Sequence, residues 1–289
     1  MPTTLITGAN SGMGYETALS LGKLGHELIL CTRSIAKGNA ALQKMKQQDI
    51  AIQATVFSLD LASFQSIKAG AEMIKAAFPT IDCLIFNAGI MTPPYTQTQD
   101  GFELQFQANY LSHFYLFNLL KEALLTSFIR KVISISSLSS EKGVNDSIKK
   151  YEEDAYCSSD SYQAMKSYRE SKLAQVLFTK ELNQRFQEPP ISSYAVHPGV
   201  VNTRLFYRNA SPFYTQLMKP FVWVGYATGK LVTPRKGAET AIALASHQFN
   251  PSGLYWANKT IRSPNPIANQ DEFCREFWDW SLSLMPNTL

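Results

Sequence analysis

Cysteine is scarce in this 289-residue chain: Cys31, Cys83, Cys157 and Cys274 stand far apart, with no C-x-x-C pair. That excludes a disulfide framework and a zinc knuckle, and sets the expectation of four reduced thiols in a reducing, cytoplasmic setting. The four histidines, at positions 26, 113, 197 and 247, have no metal-ligand spacing, so no metal is expected. His197, directly before Pro198, reads as a backbone neighbour, not a base or ligand. No apolar run reaches the roughly 18 residues that a membrane-spanning helix needs. Met1 leads almost directly into the apolar Leu5-Ile6, so neither a signal peptide nor an N-terminal anchor is expected. Neither sign of charge predominates: the net charge is +4 and the basic residues are scattered, which gives nucleic-acid binding no footprint.

Apolar residues are abundant, 45% of the chain with 12% aromatic, enough for a sizeable core. Short β-prone runs alternate with longer stretches whose apolar residues recur every third or fourth position. The runs are Thr3–Ile6, Leu28–Cys31, Ile52–Phe57, Cys83–Phe86, Val132–Ile135, Tyr194–Val196 and Leu254–Trp256. The helical stretches are Tyr15–Leu24, Ala36–Gln47, Phe64–Ala77, Phe102–Leu125, Tyr162–Phe186, Lys236–Ala245 and Asp271–Met285. Seven strands with helical crossovers predict an α/β fold: one mostly parallel sheet with helices on both faces, in a single domain over 1–289. Glu141–Ser161 and Arg204–Thr233 have no clear period and are expected as insertions on that sheet.

The first strand runs into Thr7-Gly8-Ala9-Asn10-Ser11-Gly12-Met13-Gly14 and then a helix. Glycines at 8, 12 and 14 allow a tight turn, close approach of backbone to a pyrophosphate, and close packing of helix on strand. The helix N-terminus adds free N–H groups and partial positive charge. This is the doubly wound, Rossmann-type arrangement. Farther along, Tyr168 and Lys172 stand four apart on a predicted helix, so a phenol and an ammonium share one face. An ammonium beside a phenol lowers its pKa from about 10 toward neutrality, where it serves as acid and base.

The glycine spacing resembles the T-G-x-x-x-G-x-G turn of the short-chain dehydrogenase/reductase family, and the resemblance continues along nearly the whole chain. Asn87-Ala88-Gly89 is similar to the family's N-A-G turn, Asn109 sits where it has its helix asparagine, and Ser137 ends the fifth strand. Tyr168-Arg169-Glu170-Ser171-Lys172 matches Y-x-x-x-K, and Pro198-Gly199-Val200-Val201-Asn202-Thr203 matches P-G-x-V-x-T. The resemblance implies a dinucleotide held by Gly8, Asn10, Ser11, Gly12, Met13, Gly14, Asp60, Leu61, Asn87, Ala88, Gly89, Pro198, Gly199, Val201 and Thr203. It also implies that Tyr168 is the acid/base, that Lys172 binds the nicotinamide ribose, and that Ser137 hydrogen-bonds the substrate oxygen. Asn109 would hold a water in a proton relay. Ser136 and Ser137 are adjacent, and the choice of Ser137 follows the family's Ile-Ser-Ser ending.

The second strand ends Cys31-Thr32-Arg33-Ser34, without the carboxylate that binds a ribose 2′-hydroxyl. Arg33 offers a charged fork to a 2′-phosphate, and Thr32 and Ser34 neutral hydrogen bonds; NADP(H) is the expected cofactor. Asp60 resembles the family aspartate that meets the adenine, although an aspartate capping the next helix would look the same. Past Thr203, aromatic residues crowd positions 204–233, among them Phe206, Tyr207, Phe213, Tyr214, Phe221 and Trp223. An apolar lid over the substrate crevice is expected there, suited to a lipophilic small molecule or to peripheral contact with a membrane. The whole-chain pattern resembles the retinol-dehydrogenase-like and protochlorophyllide-reductase-like branch. A monomeric or homodimeric oxidoreductase is therefore expected, with a light-dependent tetrapyrrole reductase or a non-catalytic dinucleotide sensor as the alternatives.

Overall fold

Alternate residues of the first strand serve two different cores. Leu5 points into one apolar cluster and Ile6 into another, because successive side chains of a strand face opposite sides. The same alternation runs across the sheet: Ile29, Leu5, Leu84 and Val132 stand opposite one another on one face, and Leu30, Ile6, Ile85 and Ile133 on the other. With both faces covered, these strands read as nearly continuous apolar runs. The computed structural model describes residues 1–201, 231–247 and 252–286.

The strands are β1 (Thr3–Thr7), β2 (Glu27–Thr32), β3 (Ala54–Ser58), β4 (Cys83–Phe86), β5 (Lys131–Ile135), β6 (Ser192–His197), β7 (Leu254–Ala257) and β8 (Thr260–Arg262), in the order β3-β2-β1-β4-β5-β6-β7-β8. All neighbours pair in parallel except β7 with β8. The order of strands switches sides of β1 between β3 and β4, which opens a crevice at the carboxyl ends of β1 and β4. On one face lie α1 (Gly12–Lys23), α2 (Ile35–Gln48) and α8 (Pro234–Ser246), contributing Leu21, Met45 and Leu244 to the core. On the other lie α3 (Phe64–Ala77), α5 (Ser112–Leu125), α7 (Ala164–Arg185) and α9 (Asp271–Ser283), contributing Ile74, Phe117, Leu177 and Phe277.

Three elements depart from the sequence expectation. The sheet has eight strands, not seven, because β7 turns back through Asn258 and Lys259, with φ of 51° and 60°. Two such central residues form the type I′ turn that suits a hairpin, and lysine at the second position hides it. The helix expected from Phe102 begins as α4 (Leu104–Phe106), passes through a π turn at Gln107–Leu111 and continues as α5. The stretch Glu141–Ser161 contains α6 (Ile148–Ala155), preceded by a 3₁₀ turn at Leu138–Lys142. The sequence hides α6 because only Tyr151 and Ala155 of it are buried. The lid expected at 204–233 lies, apart from 231–233, outside the described residues, as does Thr203.

Candidate active site

At the carboxyl end of β1, Thr7 clasps two turns together. Its hydroxyl accepts from the main-chain amides of Asn87 and Ala88, both at 3.0 Å, and Asn87 Nδ2 donates to the Thr7 carbonyl at 2.8 Å. The glycine turn and the N-A-G turn thus become one surface. Gly8 has φ of +68° and Gly12 of +58°, both in the left-handed region where a side chain is strained. A Cβ on Gly14 would overlap the Gly8 carbonyl and the Asn87 amide, so glycine there lets α1 pack against both turns.

The loop after Gly89 is held from beneath. Asn109 Oδ1 accepts from Ile90 N at 2.7 Å, and its Nδ2 donates to Ile90 O at 3.0 Å and Ser171 Oγ at 2.9 Å. Gln105 Oε1 accepts from Thr92 N at 2.7 Å, while its Nε2 donates to Tyr162 OH and the Ala164 carbonyl at the start of α7. Glu103, 1% exposed, accepts the free amides of Gln105 and Phe106 and the Ser167 hydroxyl. It therefore caps α4 and ties that helix to the turn carrying Tyr168. Burial pushes its carboxyl above the ordinary range, and those amides and the hydroxyl pull it back. Sequence reasoning missed Glu103 and Gln105 alike; the recognisable signal was an acid directly before a helix start.

Tyr168 and Lys172 face the cleft from α7, 6% and 4% exposed. Of the two serines, Ser136 turns away and donates to the Lys172 carbonyl at 2.7 Å. Ser137 adjoins the Tyr168 phenol, and its hydroxyl accepts from Ser139 N at 3.2 Å. Burial raises the Tyr168 pKa, and the Ser137 hydrogen bond opposes that rise. One turn along α7, Lys172 Nζ donates to Ile135 O at 2.8 Å and Gln175 Oε1 at 3.1 Å. Burial lowers the Lys172 pKa to about 7, because an ammonium out of water is disfavoured.

Asn109 is fixed through both its main chain and its side chain: its main-chain carbonyl accepts from Gln175 Nε2 at 2.7 Å and His113 Nδ1 at 3.1 Å, and its side chain bonds to Ile90 and Ser171. Burial pushes His113 down to about 3, so the ring is neutral and its Nε2 accepts from the Thr7 hydroxyl at 3.0 Å. His197 is likewise neutral, lowered to about 4 by burial and by Arg262. Its Nδ1 accepts from Leu138 N at 3.0 Å and Gly199 N at 3.3 Å, fixing the loops after β5 and β6 against each other.

On the cofactor side, Arg33 is exposed at the cleft edge, and Lys37 and Lys44 of α2 line the same edge. The sequence reading had only Arg33. Thr32 donates its hydroxyl to the Ser34 carbonyl and Ser34 caps α2 through Lys37 N, so these hydroxyls serve the turn. Asp60 does not cap α3; Ser63 does, while Asp60 Oδ1 accepts from Ala62 N at 3.0 Å. The cleft, of about 1560 Å³, runs from the glycine turn and Arg33 past Asp60 and Leu61 to Gly89, Ser137, Tyr168, Pro198, Gly199 and Val201. A single small-ligand pocket occupies about 300–1,000 Å³, so this one has room for a dinucleotide and a second molecule. Asn109 lies behind the wall, fully buried. Among the described residues no cluster of metal-ligating side chains occurs, and no helix is long and apolar enough to cross a membrane.

A cleft of dinucleotide size with a buried tyrosine and lysine and a half-buried serine at one end suits an oxidoreductase, and the relatives agree. Residues 2–151 match the family model for short chain dehydrogenases. The chain is 35% identical over 286 residues to retinol dehydrogenase 13 of Mus musculus, across 98% of this chain and 83% of that protein. It is also 35% identical over 285 residues to retinol dehydrogenase 12 of Homo sapiens, across 97% and 85%. A solved structure of an uncharacterized protein from Mycobacterium Paratuberculosis superposes with a TM-score of 0.75 at 30% identity, over 98% of this chain and 93% of that one. The chain belongs to the short-chain dehydrogenase/reductase family, whose oxidoreductases bind NAD(P), and within it is similar to the retinol dehydrogenases.

Proposed function

We propose that the protein is an NADP(H)-dependent oxidoreductase that moves a hydride between the nicotinamide and a carbonyl or alcohol carbon of a lipophilic substrate, with Tyr168 as acid/base. The observation that carries this reading is the convergence of Ser137, Tyr168 and Lys172 on the cleft that Arg33 and the glycine turn also line. The dinucleotide supplies or accepts the hydride. The amides at the α1 N-terminus suit its pyrophosphate, and Arg33, Lys37 and Lys44 suit a 2′-phosphate.

In reduction, the new C–H bond moves the carbonyl π pair onto oxygen. Ser137 holds that oxygen and Tyr168 gives it the phenol proton. Burial keeps the phenol protonated at neutral pH, which is the donor form. The phenolate left behind is stabilised by the Lys172 ammonium. Ile90, Met91, Leu104, Leu138 and Met165 line the cleft, an apolar wall that suits a long hydrocarbon carbonyl. Curated relatives named as retinol dehydrogenases favour a retinoid-like aldehyde or alcohol. Four unpaired cysteines accord with a reducing, cytoplasmic location.

NADPH oxidation in the dark against aldehydes, ketones, retinoids and steroids tests the reading. Tyr168→Phe keeps the ring and removes the proton, so kcat should fall by about 10² or more with NADPH affinity nearly unchanged. Native turnover by that variant would refute the assignment of Tyr168.

A further inference from the structure

Gln175 lies three residues beyond Lys172 on α7 and is 2% exposed. Its side-chain amide is used at both ends: Oε1 accepts from Lys172 Nζ at 3.1 Å, and Nε2 donates to the Asn109 carbonyl at 2.7 Å. That carbonyl belongs to the π turn and is held from its other side by the neutral His113 ring, which is itself bonded to Thr7 under the glycine turn. The amide therefore cannot swing away without breaking a chain of buried hydrogen bonds that reaches β1. An ammonium carries three donors. Ile135 O and Gln175 Oε1 fix two of them, both on the protein side, and the third is left for the cleft.

We propose that Gln175 is the positioning residue for Lys172, a brace that aims one ammonium proton at the cofactor sugar and the Tyr168 phenol. The proposal rests on the function proposed above. An amide neither gains nor loses a proton near neutrality, so the contact between Asn109 and Lys172 is a brace and not a proton path. Among the described residues, the titratable groups facing Lys172 are Tyr168 on its own helix and His113 on the neighbouring one. From β5 and the turn after β4 it meets the main chain of Ile135 and Gly89.

Two variants test the brace, read by the pH dependence of ligand-free stability and by the kcat/KM profile for NADPH oxidation. Gln175→Glu keeps an acceptor for the ammonium and adds a negative charge, so the Lys172 ionisation should move up by about one pH unit or more in both profiles. Gln175→Leu removes the acceptor, so the ionisation should move down by about as much. Its kcat should fall about tenfold or more, with a smaller change in NADPH affinity. If Gln175 only filled space, Gln175→Leu would alter stability equally at every pH and leave both ionisations in place, and that outcome overturns the proposal. Should Gln175→Leu fail to fold, Gln175→Met, of similar length and without the amide acceptor, carries the same test. A native protein without NADPH oxidation would overturn the proposed function alone, and the stability profiles would then decide on Gln175.

Discussion

Replacing Lys172 with Met removes a buried ammonium while roughly keeping the length of the side chain, and its consequence for stability follows from the site. In the folded chain burial holds Lys172 to a pKa of about 7, against an ordinary value of 10.5. Between those values the unfolded chain binds the proton and the folded chain does not, so stability rises with pH across that window. Below about pH 7 both states are protonated and the full burden of burying the charge is felt. Integrating the difference from about pH 6 to about pH 9 gives the native protein a gain of roughly 2–3 kcal/mol relative to Lys172→Met. Every other titrating group is common to the two proteins and cancels. In a chain of this size the gain corresponds to roughly 4–6 °C in Tm. Thermal or urea unfolding of the two proteins side by side across that range measures it. Parallel stability curves would show that Lys172 keeps its ordinary pKa when folded, and the reasoning about its buried setting would fail.

Arg33→Ala should weaken NADPH binding by about 1–3 kcal/mol, the worth of a charge-assisted phosphate contact, and leave NADH nearly unaffected. Equal affinity of the native protein for both cofactors, measured by fluorescence titration, would remove the basis for NADP(H). Glu103→Ala strips the cap from α4 and leaves the Gln105 and Phe106 amides and the Ser167 hydroxyl without their acceptor. A loss of roughly 2–4 kcal/mol in urea unfolding should follow, and a change within about 0.5 kcal/mol would show that solvent takes over those donors.

Most of the sheet was legible because its strands are buried on both faces: Leu28 to Cys31 or Cys83 to Phe86 leave no polar position to confuse the pattern. What escaped had weak apolar signal for definite reasons. Strand β8 is exposed along its whole length, and Lys259 occupies a turn position where glycine would have announced the hairpin. Helix α6 buries one edge of a charged segment. The cofactor turn and the Tyr168–Lys172 pair were legible because their chemistry demands particular residues at fixed spacing. The groups that support them were not, since Glu103, Gln105, His113 and Gln175 stand in helices or directly before one, where a polar residue in the sequence reads as a solvated face. Only the hydrogen-bonding partners, 62 or 66 positions away for Ser171 and Gln175 on Asn109, reveal that these residues point inward.

The physical reason for so many polar residues beneath one cleft lies in the ammonium itself. A lysine with 4% exposure and no carboxylate beside it would be costly to bury in an apolar wall. Dipoles fixed in advance are the alternative, and the Ile135 carbonyl and the Gln175 amide supply them without neutralising the charge. A carboxylate in place of Gln175 would hold the ammonium more tightly, but it would also draw the positive field away from the cleft, where under the proposed function a phenolate and a sugar would feel it. Neutral partners leave that field directed outward. The same requirement accounts for His113: were it protonated, it would repel Lys172 across the same pocket, and burial keeps it neutral. The chain from Thr7 through His113, Asn109 and Gln175 to Lys172 therefore acts electrostatically as well as structurally, joining the glycine turn to the ammonium through neutral groups alone.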